Sequence, residues 1–103
     1  MYGLRTRRVL EQVGDERGRQ DAKWGEQNHP DGTPGQAHRM FADIARHNCD
    51  RAAERGEVTW TDILNEEFNE LLAESDPAEV RAEAIQVAAV AVAWVEAIDR
   101  RTA

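Results

Sequence analysis

The chain has 103 residues, of which 41% are hydrophobic and 32% charged, with a net charge of −7. That is one small domain, short enough that completing its core by oligomerisation is an expectation. The acidic balance argues against non-specific nucleic-acid binding and against an anionic membrane surface, and the single cysteine, Cys49, excludes an internal disulfide framework.

Residues 4–23 are rich in helix formers, and Leu4, Val9, Leu10 and Val13 give them a thin apolar stripe. Gly14 and Gly18 weaken this helix and are expected to bend or break it. The N-terminal MYGLRTRRVL has no long apolar run after its arginines, so no signal peptide is expected. Residues 24–35, WGEQNHPDGTPG, contain Pro30, Pro34 and three glycines and predict an irregular loop. Long loops inside small domains are often functional.

Helical pattern returns over 36–55, with Met40, Phe41, Ile44 and Ala45 on one side and Gly56 as the stop. Thr59 or Thr61, within TWTD, signals the start of a third helix that runs to about Glu74. Ser75-Asp76-Pro77 then ends it and starts a fourth over roughly 77–101, since proline suits a first helical turn. No stretch alternates as a strand would. The expectation is therefore one all-α domain over 1–103, bundle-like, with four helices. In the last helix VAAVAVAWV, Val87 to Val95, is apolar on every side and predicts burial all round, in the centre or in an oligomer interface. It falls far short of the roughly 20 residues a membrane span needs, so a soluble, cytoplasmic chain is expected.

DILNEEFNELLAES, residues 62–75, places an apolar stripe of Ile63, Leu64, Phe68, Leu71 and Leu72 among four glutamates. On a wheel of about 100° per residue with Ile63 at zero, Glu67 falls at about 40° and Glu74 at about 20°, inside the apolar arc. Glu70 lies about 20° beyond its edge, and Glu66 falls well outside. In the last helix Glu83 lies within about 20° of Val90 and Trp94, and Gln86 is about 60° away from it. Inward carboxylates on neighbouring helices repel each other and resist ionisation unless a cation lies between them. Hard cations such as Mg²⁺ favour carboxylate oxygens, and bundles build metal sites from inward side chains on facing helices. The alternative is a set of solvated helix faces.

EEFNE, Glu66 to Glu70, followed by EAIQ, Glu83 to Gln86, resembles the EExxE…ExxD signature of the MazG-like all-α nucleoside triphosphate pyrophosphohydrolases. The segments 16–33, 60–74 and 83–99 also resemble a MazG-like subgroup common in actinobacteria and their phages. The resemblance implies a dimeric or tetrameric helical enzyme. It would hydrolyse the α–β bond of a (d)NTP to the monophosphate and pyrophosphate with Mg²⁺, for which Mn²⁺ can substitute. By position, Glu67, Glu70 and Glu83 would be metal ligands, and Glu66 a further ligand or an orienter of the attacking water. Gln86 stands where the family usually has Asp. Its amide oxygen can bind a cation without adding charge.

No nucleophilic serine or cysteine constellation is evident, so the reaction would be direct attack of water, activated by a Glu-bound metal, on phosphorus. Glu66 or Glu70 could accept its proton. Cys49 reads as a buried filler. Trp60 and Trp94 read as core or interface residues. Arg17, Arg19 and Lys23 are candidates to neutralise a phosphate tail; Trp24 to stack on a base; Asn28 or His29 to read its edge. The competing expectation is that Trp24 packs on the core, that His29 bonds locally and that most arginines are merely solvated. A nucleotide-binding or regulatory helical dimer without hydrolysis, and a purely structural helical oligomer, are the remaining alternatives.

Overall fold

A computed structural model describes residues 1–102, and its regular structure is entirely helical among those residues. The helices are α1 (Leu4–Trp24), α2 (Arg39–Glu54), α3 (Trp60–Leu72) and α4 (Pro77–Thr102), with a short 3-10 turn at Gly35–His38 before α2. No helix is long and apolar enough to cross a membrane among the described residues. The chain divides into two compact units: residues 1–31 with the chain from residue 92 onward, and residues 32–91.

In the first unit α1 is unbroken, contrary to the expected bend. Gly14 and Gly18 each cost helix propensity, on the order of 1 kcal/mol. The ion pairs Arg19–Glu16 at 2.7 Å and Arg17–Asp21 at 2.8 Å brace the turns around them. The helix stops at Gly25, whose φ of 68° takes the chain out of helical space while its N–H still donates to the Asp21 carbonyl at 2.8 Å. Thr6 Oγ1 donates to Glu96 Oε1 at 2.9 Å, tying α1 to the end of α4. Val9 and Val92 are the buried residues of these two helices.

The second unit is built on α2 packed against α3. Ala42, Ala45, Cys49 and Ala52, spaced at helical intervals, are the buried residues of α2. Of the expected apolar side, Ala45 is buried, but Met40 is 70% exposed and Phe41 and Ile44 are also exposed. Small side chains let two helices approach closely, so they, and not the bulkiest ones, occupy the contact. α2 ends in a Schellman motif, with Glu57 N donating to the Ala52 carbonyl at 2.8 Å and Gly56 N to Ala53 at 3.0 Å; Gly56 has a φ of 70°.

α3 begins as its sequence predicts. Thr59 Oγ1 accepts from Asp62 N at 3.2 Å, and the Asp62 carboxylate accepts from Thr59 N at 3.0 Å, forming a capping box. Thr59→Ala is expected to cost about 1 kcal/mol. A thermal melt should fall by roughly 4–8 °C in a chain of this size; an unchanged midpoint would show that α3 does not depend on its cap. Pro77 opens α4 behind Asp76, whose carbonyl accepts from Val80 N at 2.9 Å.

Two burial expectations are not met within the single chain. Phe68, assigned to the apolar stripe of α3, is 48% exposed. The run Val87–Val95 is not buried all round: Val92 alone is buried, while Ala88, Ala89, Ala91 and Val95 are exposed. Packing reaches only part of the circumference of α4, so an all-round apolar helix keeps an open face.

Candidate functional site

On α3 the exposed positions Asn65 and Phe68 lie opposite the azimuth of Glu67 and Glu70, by about 100° per residue. The acidic side chains therefore sit in the middle of the sheltered sector and not at its border. Glu66, expected to face away, is half-buried and faces the Cys49 thiol on α2. Cys49 is buried, and burial together with this carboxylate pushes its thiol up to about 11, so it is an unreactive filler as expected.

The carboxylates divide between two environments. Glu70, only 15% exposed, is bonded by Arg39 Nη1 at 2.9 Å and Arg46 Nη2 at 2.5 Å, both from α2. Arg39 also reaches Glu74 at 3.3 Å. Burial tends to raise the Glu70 pKa, but the hydrogen bonds and charges of the two arginines outweigh it and hold this carboxyl below its ordinary range. Glu67 and Glu83 behave in the opposite way. Burial raises the pKa of both; Glu83 adds repulsion on Glu67, and Glu70 and Glu74 add repulsion on Glu83. Neither makes an ion pair among the described residues.

Glu66, Glu67, Glu70 and Glu83 are thus brought into one neighbourhood of the second unit, whereas Gln86 is exposed on α4. Among the described residues no three His, Cys, Asp or Glu side chains form a group able to hold a metal ion. Glu70 is turned to its arginines, which leaves Glu67 with Glu83. Carboxylate oxygens are nevertheless the donors that Mg²⁺ takes, and two partly desolvated carboxylates that repel each other are the groups a divalent cation would stabilise.

Arg39 and Arg46 were missed by sequence reasoning. Their spacing of seven residues, two helical turns, does place both on one face of α2. That spacing was the available signal, but it acquires meaning only from Glu70 on another helix. His38, at the end of the 3-10 turn, bonds Asn69 at 2.8 Å, a further tie between this segment and α3.

The remaining predicted residues lie in the first unit. Trp24 is 55% exposed and so does not pack on a core; Lys23 Nζ stands 5.1 Å from its ring centroid. Arg17 is held by Gln20 at 2.7 Å and by Asp21. Asn28 donates to Glu26 at 3.2 Å, and His29 shares a hydrogen bond with Gln27 at 3.1 Å. A cavity of about 740 Å³ is lined here by Arg17, Asp21, Trp24, Glu26 and Gln27, and none of Glu66, Glu67, Glu70 and Glu83 lines it. A second, of about 440 Å³, lies between Trp24, Gln27 and His29. An exposed indole beside basic and amide groups suits an aromatic ligand. No family model, curated protein or solved structure matches the chain.

Proposed function

We propose that the protein is a Mg²⁺-dependent nucleotide pyrophosphohydrolase of the MazG-like kind, converting a (d)NTP and water to the monophosphate and pyrophosphate. The observation that carries this is the pair Glu67 and Glu83: carboxylates on two helices, both partly desolvated, with the Glu83 charge repelling Glu67 and neither in an ion pair among the described residues. The EEFNE…EAIQ resemblance supports the same reading.

Glu67 and Glu83 would hold the cation, with Glu70 joining them on release from its arginines. Mg²⁺ bound there supplies charge against the phosphate tail and makes water more acidic. Glu66 makes no ion pair among the described residues and is the carboxylate suited to orient the attacking water and take its proton. Glu70 stays ionised below the ordinary carboxylate range and is the poorer proton acceptor. The first unit, taken by itself, has an exposed Trp24 with Lys23 at its ring and with Arg17 and His29 lining the cavities beside it, an arrangement that suits an aromatic ligand.

A homo-oligomer belongs to this reading. Among the described residues no large side chain is fully buried, and Met40, Phe41 and Ile44 form an exposed apolar face on α2. A second copy would cover such a face, and sedimentation or light scattering reads the result directly.

The test is incubation with a panel of (d)NTPs and Mg²⁺, with detection of both products. No pyrophosphate from any of them would overturn the hydrolase. One observation favours a second reading, a nucleotide-binding helical protein without turnover: Gln86 is neutral and exposed where the resembling motif has Asp. A nucleotide-dependent rise in melting temperature without product would establish that alternative.

A further inference from the structure

The two sides of the carboxylate cluster are unlike. Toward α2, Arg39 and Arg46 converge on Glu70; Arg39 also bonds Glu74 and stands 4.0 Å from Asp43. Toward α4, the Glu83 charge bears on Glu67, and the Arg39 charge reaches Glu83 only as a minor influence. A guanidinium presents several N–H donors in a planar fork. Arg46 is half exposed and, among the described residues, donates a hydrogen bond only to Glu70. Arg39 is shared between Glu70 and Glu74, whereas Arg46 keeps donors beyond its bond to Glu70. Glu70 therefore occupies the two arginines as an internal anion that a more highly charged one can displace.

We propose that Arg39 and Arg46 are the phosphate-binding residues of this site, taking the polyphosphate tail on the α2 side and releasing Glu70 toward Glu67 and Glu83. The inference rests on the nucleotide reading and deepens it by assigning the tail to α2, where sequence reasoning had assigned it to Arg17, Arg19 and Lys23. Release of Glu70 would add a third carboxylate to Glu67 and Glu83, so that the tail and a divalent ion would take complementary halves of one cluster.

Inorganic tripolyphosphate isolates the tail from base and sugar, and calorimetric titration needs no turnover. In Mg²⁺ buffer Arg46→Gln should weaken tripolyphosphate binding about tenfold, the scale of one charge-assisted contact, and Arg46→Lys should restore part of the loss. In metal-free buffer Glu70→Gln should strengthen it several-fold, because the competing internal charge is gone while the shape remains. Arg46 is half exposed, so its variant should melt close to wild type, which a thermal scan verifies. Wild-type affinity in Arg46→Gln, or no tripolyphosphate binding by the wild type, would overturn the proposal. Failure of the hydrolase reading looks different: tripolyphosphate would bind in an Arg46-dependent way while no (d)NTP was cleaved. Cleavage with an unchanged KM in Arg46→Gln would sink the arginine assignment and leave the hydrolase intact.

Discussion

Glu67→Gln is expected to reduce pyrophosphate release at least about a hundredfold, the scale on which removing a group at the developing charge acts, and yet to melt higher than the wild type in metal-free buffer at pH 7. The two effects have one cause. The Glu67 carboxyl is pushed above its ordinary range by burial and by repulsion from Glu83, Glu66 and Glu70. A carboxyl whose folded pKa is raised stabilises the fold when protonated. That contribution is complete below the ordinary carboxylate pKa and is lost as pH rises through the folded value. At pH 7 the wild type therefore bears the repulsion and the amide does not. The gain should be a few tenths to about 1 kcal/mol, the range of single part-exposed charge contacts, which is roughly 2–6 °C in a melt of this size of chain.

The same sign sets the pH profile. Metal-free wild type should melt higher as pH falls from 7 toward 5, through Glu67 and Glu83, and the glutamine variant should lose the Glu67 share of that rise. Glu70 acts oppositely, since its pKa is lowered: its contribution is present above the ordinary carboxylate range and disappears as pH falls through the folded value. Adding Mn²⁺ should reverse the order of the two proteins, because an ion at a hundredfold excess over its Kd stabilises by about 2.7 kcal/mol only the protein that binds it. Equal melting of both proteins with and without Mn²⁺ would remove the cation from this site.

Local signals in the sequence were legible where one or two residues decide the structure. The capping box of Thr59 and Asp62, the stop at Gly56 and the start at Pro77 are written in residue types that few other conformations use. The faces of the helices were not legible to the same degree. Apolar bulk pointed to Met40, Phe41 and Ile44 on α2, whereas close approach to α3 selects Ala42, Ala45, Cys49 and Ala52. That choice turns α3 so that Phe68 is exposed and Glu66 sheltered, reversing both expectations. That Glu67 and Glu83 are both sheltered was readable from azimuth, because both were aligned with apolar neighbours. The arginine partners of Glu70 were not, since isolated arginines on a helix read as solvated until another helix brings a carboxylate to them.

Gly35 is where the second unit tolerates change least. Its φ is 70°, it is buried, and a β-carbon built there would collide with Ser75 Oγ on the far side of α3 in sequence. From Gly35 the chain enters the 3-10 turn and then α2, so this position sets the register that brings Arg39 to Glu70. Left-handed backbone costs a non-glycine residue roughly 1–2 kcal/mol, and displacement of Ser75 adds to it. Gly35→Ala should therefore lower the melting temperature by roughly 5–15 °C. Ser75 is exposed and its hydroxyl can rotate away, so adding Ser75→Ala should recover only the smaller, steric part. Gly14→Ala is the matched control with the opposite sign. It lies mid-helix in α1 with nothing within 4 Å of the new methyl, so it should stabilise by about 0.5–1 kcal/mol. A Gly35→Ala protein as stable as wild type would mean that the turn does not hold the left-handed backbone from which the register of α2 is argued.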